Sequence, residues 1–174
     1  MKTFLQIIKY LGIYLVSFVL ILFAVSKFLD AQFRVWNITQ YTPLRQLSNM
    51  AVAWSFYGHS YFYNLFLGVA EFTAGVLILF QRTRLVGLLM AFAIYVNIVI
   101  VDIEFDVDDA IGHAVFELAV VIALLTSYLG DLKKFFWDLG GRINNQSNPP
   151  GKIMGRYLPL AFILACTIGC VVLI

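Results

Sequence analysis

Long apolar runs separated by short polar breaks dominate this chain. Five runs stand out: Ile7 to Leu29, Tyr61 to Phe80, Leu85 to Val101, Ala110 to Leu129 and Tyr157 to Ile174. A bilayer core about 30 Å thick takes about 20 apolar residues of helix, so each run predicts a transmembrane helix. The first has Lys2 and Lys9 ahead of it and a weak Ala24-Val25-Ser26 cleavage site. It is long for a signal peptide and further spans follow, so it reads as a retained first helix.

The breaks predict smaller elements. Pro43 to Trp54 reads as a short helix lying against one mouth of the bundle. Trp36, Tyr41, Trp54, Phe56, Tyr57, Tyr61 and Tyr63 suit the headgroup level, where aromatic rings collect. Asp131 to Leu139 alternates charges with bulky apolar residues, as an interfacial helix does, and Gly140-Gly141 ends it. Asn144 to Gly151 is linker-like. The fold expected is an all-α integral membrane protein: a four-helix transmembrane bundle in residues 1–139, a linker in 140–152 and a fifth transmembrane helix in 153–174.

Composition agrees, with 61% hydrophobic and 13% charged residues, against about 45–50% and about 25% in soluble domains. A net charge of +2 on scattered basic residues excludes a nucleic-acid surface. Lys2, Lys9, Arg82, Arg84, Lys133, Lys134, Arg142, Lys152 and Arg156 fall on the side of the N-terminus, and Arg34 and Arg45 on the other. The positive-inside rule then puts the N-terminus in the cytoplasm and the C-terminus outside, in a bacterial-type inner membrane. Cys166 and Cys170 stand four apart in an apolar run and read as small packing residues.

The polar residues inside this apolar pattern carry the candidate chemistry. Six of the ten carboxylates, Asp102, Glu104, Asp106, Asp108, Asp109 and Glu117, fall in one stretch. The first five read as an acidic outer loop, with Asp108 and Asp109 also placed to favour a helix N-terminus. At 1.5 Å per residue, Glu71 lies roughly 15 Å and Glu117 roughly 12 Å below the outer surface, at similar depth on two helices. Asp109, His113 and Glu117 share one helical arc. Asn97 sits about a turn and a half from the outer end of the third helix. Lys27 reaches a similar level and is expected to pair with Asp30, Asp102 or another acid of the loop, or to extend its ammonium outward.

Charged groups in lipid are expensive, so these residues predict a polar cavity facing the bundle interior. Glu71, Asn97, His113, Glu117 and Lys27 are its candidate ligand-binding or proton-relay residues, suited to a hydrophobic ligand with a polar head. The bland alternative is a buried carboxyl that sets helix register, with Gly68 and Gly75 allowing close approach. A di-iron site needs Glu-x-x-His motifs on two helices, and only one intramembrane histidine is present, so no metal site is assigned. The acidic run lacks the order of ligands in a calcium loop.

Five short motifs in these runs resemble those of the DoxX-like family of small four-helix membrane proteins. They are Phe23-Ala24-Val25-Ser26-Lys27-Phe28, Gly68-Val69-Ala70-Glu71-Phe72-Thr73-Ala74-Gly75, Leu85-Val86-Gly87-Leu88-Leu89-Met90, Phe105-Asp106-Val107 and Gly130-Asp131-Leu132-Lys133-Lys134-Phe135-Phe136. The resemblance covers approximately Phe4 to Trp137 and implies a four-helix core with Lys27 and Glu71 at its characteristic polar positions. Named members are associated with quinone-linked sulfur oxidation, which makes a quinone or similar lipid-like molecule the expected ligand and a membrane redox system the expected setting. The long acidic loop and the fifth span depart from the family pattern. The alternatives are a structural or accessory membrane protein that engages a partner protein and, ranked last because no repeated half or Pro-broken helix is present, a small proton-coupled transporter.

Overall fold

The structure, a computed structural model, describes residues 2–33, 42–134 and 137, the side chains of Lys2 and Asp109 excepted. Among the described residues the chain runs through α1 Lys2–Phe28, α2 Asn49–His59, α3 Tyr61–Leu79, α4 Arg84–Glu104 and α5 Asp108–Thr126. A single 3-10 turn, Leu44–Gln46, precedes α2, and residues 129–134 are helical again beyond α5. Among the described residues there is no strand.

Local chemistry sets the breaks. Ser48 caps α2 by accepting a hydrogen bond from the Ala51 amide at 3.2 Å, and Ser60 caps α3 by accepting from the Tyr63 amide at 3.2 Å. Ser60, extended at φ −111° and ψ 103°, is also the only residue between α2 and α3. α1 and α4 end alike. After α1 the amide of Ala31 bonds to the Ser26 carbonyl and that of Asp30 to Lys27; after α4 the amide of Val107 bonds to Asp102 and that of Asp106 to Ile103. This is the Schellman pattern, and its left-handed position holds Asp30 at φ 50° and Asp106 at φ 51° where glycine is commonest.

At the opposite end Arg84 closes α3. Its Nε donates to the Ile78 carbonyl at 2.8 Å and its Nη2 to the Leu79 carbonyl at 3.1 Å, so a buried cation satisfies carbonyls that the helix end leaves open. Lys9 lies 4.0 Å over the ring of Tyr128 at this same end.

α1 packs along α3, α3 against α4, α4 against α5, and α5 closes more lightly on α1, so four helices form a ring. Its core holds Ile13, Val16 and Leu20 of α1, Ala74 and Ile78 of α3, Leu88, Ala91 and Tyr95 of α4, and Val121 and Leu124 of α5. Where lipid surrounds helices, contact between them depends on close packing and internal hydrogen bonds rather than on burial from water. Two glycines supply that closeness. A Cβ at Gly75 would stand 3.1 Å from the Ser17 carbonyl, and one at Gly87 2.7 Å from the Ile78 backbone nitrogen. Ser17 Oγ also donates to the Gly75 carbonyl at 2.7 Å, tying α1 to α3.

The outer surface is apolar, with Phe4, Leu11, Tyr14 and Phe18 of α1 and Phe62 of α3 exposed. Three helices, Thr3–Phe28, Tyr61–Leu79 and Arg84–Glu104, are long and apolar enough to cross a membrane, and Ala110–Thr126 is a shorter apolar helix. An all-α chain with this surface makes contact with membrane lipids.

Two expectations change. The third run continues as helix past Val101 to Glu104, and α5 begins at Asp108, so the long acidic loop shrinks to residues 105–107. The reason is the Schellman closure, which turns the chain from one helix to the next within three residues. The single short helix expected over Pro43 to Trp54 is instead the 3-10 turn followed by α2, because Ser48 starts a new helix. The fifth run from Tyr157, the linker 140–152, Trp36, Tyr41 and residues 135, 136, 138 and 139 of the interfacial segment lie outside the described residues.

Candidate functional site

The Schellman turn that ends α1 folds the chain back over its own last helical turn and brings Gln32 beside Lys27. Lys27 Nζ donates to both carboxyl oxygens of Glu71 on α3, each at 2.8 Å, and to Gln32 Oε1 at 2.8 Å. The two charged side chains are 4% and 5% exposed, so this is a fully enclosed ion pair. The rings of Phe33 and Phe23 lie 5.4 and 5.8 Å from the ammonium and shield it further. Lys27 is thus paired across the α1–α3 seam and not with Asp30 or Asp102, and it does not extend outward. Gly68 makes the seam possible, since a Cβ there would lie 2.8 Å from the Phe28 ring and 3.2 Å from Lys27 Cβ.

Beside this pair lies a cavity of about 810 Å³. Its walls are mostly apolar, from Val19, Leu22, Phe66, Ala70, Met90, Ile98 and Ala114. The polar lining comes from Lys27, Gln32, Glu71, Thr73, Tyr95, Asn97, Asp102, His113 and Glu117. Three buried polar atoms there, Tyr95 Oη, Asp102 Oδ2 and Glu117 Oε2, have no hydrogen-bond partner among the described residues. Their residues are 1%, 7% and 7% exposed. A buried polar group left without a partner costs about 1–3 kcal/mol, so each is a vacancy for a hydrogen bond.

α2 covers one end of the cavity through Ala53, Trp54 and Tyr57. Phe33 stacks on Tyr57 with ring centres 4.9 Å apart and meets Trp54 edge-on at 5.5 Å. Tyr57 in turn stacks on Tyr63 at 6.1 Å. Asn49 Nδ2 at the start of α2 donates to Asp106 Oδ2 at 2.7 Å, fastening α2 to the turn between α4 and α5. Burial, and secondarily the nearby Asp102 carboxylate, raise the Tyr57 phenol above the ordinary tyrosine value. The aromatic cluster therefore packs inward as a cover, although Phe56 and Tyr61 stay exposed.

The structure brings Lys27, Glu71, Asn97, His113 and Glu117 to one cavity. Asn97 is half-buried, and His113 is exposed yet borders the cavity one turn before Glu117. Of the acidic stretch, Asp102 belongs to α4 and points into this cavity, while Glu104, Asp106 and Asp108 are exposed outside it. The side chain of Asp109 lies outside the described residues. No three His, Cys, Asp or Glu side chains converge to hold a metal ion among the described residues.

Sequence reasoning did not single out Tyr95, Gln32 or the inward face of Tyr57, and it placed Asp102 in a loop. A signal for two of these exists: Leu88, Tyr95 and Asp102 are seven apart, and all three are buried on one face of α4. Continuing the helical period through the end of the apolar run would have carried Asp102 inward.

The fold and site define a small all-helical chain with membrane-length helices around a cavity of mixed polarity. No family model matches the chain, and no solved structure matches it. It is similar over 56 residues, at 43% identity, to the uncharacterized protein YwoB of Bacillus subtilis (strain 168), a match that takes in 32% of this chain. The chain spans about a third (36%) of the length of that relative.

Proposed function

We propose that this protein binds a lipid-like small molecule with a polar head in the α1–α3–α4–α5 cavity, as a DoxX-like component of a membrane redox system. One observation carries the reading: the unpartnered Tyr95 Oη, Asp102 Oδ2 and Glu117 Oε2 in a mostly apolar cavity of about 810 Å³. That volume is in the range of about 300–1,000 Å³ usual for small-molecule sites. The apolar walls accept a hydrocarbon body, and the orphan hydroxyl and carboxyls accept its head. A quinone is the ligand class that the resemblance adds. Basic residues at the N-terminal ends of α1 and α4 support a cytoplasmic N-terminus in the inner membrane, with the α2 cover and the cavity mouth outside.

A second reading has its own support. Lys27 and Glu71 satisfy each other, as residues of a structural or accessory protein would, so their task here is to hold α1 on α3 rather than to move protons. The test is native mass spectrometry of protein extracted gently with its own lipids. The binding reading expects a stoichiometric quinone or lipid that is lost from Tyr95→Phe and Glu117→Gln protein of unchanged folding. A wild-type protein that carries no such molecule would favour the accessory reading.

A further inference from the structure

Among the described residues the charges that border the cavity do not balance. Lys27 and His113 are the only basic residues described in the lining, and both Glu71 oxygens with Gln32 occupy the Lys27 ammonium. Two carboxyls are left over, Glu117 on α5 and Asp102 on α4, each with a buried oxygen that has no hydrogen-bond partner among the described residues. Tyr95 faces the same interior from α4, and its hydroxyl is likewise without a partner. Along α4, Asp102 is seven residues beyond Tyr95, about 10 Å at the helical rise. The inner carboxyl, Glu117, therefore lies near Tyr95, and the outer one, Asp102, near Tyr57 under the α2 cover.

A neutral head with only acceptor oxygens can take the Tyr95 hydroxyl but leaves both carboxyls without a counter-charge. A positive head gains what a neutral one cannot, because it compensates a carboxylate that no lysine or arginine among the described residues pairs with. Lys27 shows the same arrangement within the protein, its ammonium held against the Glu71 carboxylate.

We infer that the head group taken by this cavity is cationic: a hydrophobic amine or quaternary onium whose charge is met by Glu117, with Asp102 serving as the acid at the mouth. This rests on the amphiphile-binding reading above, and for the head group it puts an organic cation in place of the quinone that the resemblance suggests. The apolar body of such a molecule fills the space between Leu22, Phe66, Met90 and Ile98.

The test uses the full chain in nanodiscs of zwitterionic lipid, with empty nanodiscs correcting for partition. Tetraphenylphosphonium is the cationic probe and triphenylphosphine oxide the neutral one, both followed by equilibrium dialysis. The cation is expected to bind about tenfold or more tightly than the neutral probe, the scale of a desolvated charge pair. Glu117→Gln should bring the two probes to near parity by weakening the cation, whereas Glu117→Asp, which keeps the charge, should preserve the preference. Equal binding of both probes to the wild-type protein would overturn the cationic head and leave the amphiphile site standing. Binding of neither above empty nanodiscs would overturn both. The wild-type comparison decides the matter even if a variant fails to fold.

Discussion

Glu71→Gln removes the charge that Lys27 faces while keeping the shape of the side chain. In the native protein both carboxyl oxygens stand 2.8 Å from the ammonium, and neither side chain is more than 5% exposed, so the lysine cannot turn to water when its partner is neutralised. Breaking a buried pair on one side costs about 3–5 kcal/mol. The low end applies here, because Gln32 Oε1 remains at 2.8 Å and the new amide oxygen still accepts one bond. About 3 kcal/mol is roughly a hundredfold in the folding equilibrium. Lys27→Met should cost at least as much, since it strands a carboxylate whose only protein partner is that lysine. The double replacement Lys27→Met with Glu71→Leu leaves no charge to strand, and it is expected within about 1–2 kcal/mol of the native protein. The assay is reversible unfolding in mixed micelles, read as a double-mutant cycle of Lys27→Met and Glu71→Leu, in which singles of about 3 kcal/mol or more and a double of about 1–2 kcal/mol give a coupling of about 4 kcal/mol or more. Single replacements that each cost less than about 1 kcal/mol, or a double that costs their sum, would refute the ion pair as the staple of the α1–α3 seam.

Gly87→Ala should destabilise the bundle by about 1–3 kcal/mol, because the added carbon meets backbone atoms, at 2.7 and 2.9 Å, that cannot rotate away. Gly112→Ala, where nothing lies within 4 Å, should be neutral or mildly stabilising in the same unfolding assay, and a reversed order would discredit the packing argument. Tyr57 should ionise above the ordinary tyrosine range in a difference titration against Tyr57→Phe, and Asp102→Asn should lower that value part of the way, since burial is the larger cause. A phenol held protonated by the fold contributes stability in full below the ordinary tyrosine value, and that contribution is lost as pH rises through the folded value. An unshifted Tyr57 would show that α2 does not cover the cavity.

Much of the architecture was legible from apolar runs, because lipid demands an apolar exterior and a helix must satisfy its own backbone. The runs beginning at Tyr61, Leu85 and Ala110 coincide with α3, α4 and α5 to within a few residues at their starts. Glu71, Glu117 and Lys27 were visible as candidates by the same logic, since a charge inside such a run must have a reason. What pairs with what was not visible. Depth along each helix follows from counting residues at a fixed rise, but the azimuth between helices depends on packing that no single run contains. Lys27 was therefore expected to pair with Asp30, Asp102 or another acid of the loop, and the close α1–α3 seam at Gly68 and Gly75 gave it Glu71 instead.

The chain ends of α1 and α4 show the same division. Asp30 and Asp106 sit in left-handed turns that a glycine would have announced, and with aspartate there the sequence offered a loop where the fold makes a three-residue corner. That corner draws Asp102 into the cavity and leaves Glu104, Asp106 and Asp108 outside it. The sequence by itself determined that this is an all-helical, lipid-facing chain with polar groups it could not leave in lipid, because hydropathy and helical period are properties of one segment at a time. Only the tertiary structure decided that Lys27 and Glu71 neutralise each other while Tyr95, Asp102 and Glu117 do not, because charge compensation is a property of distances between segments.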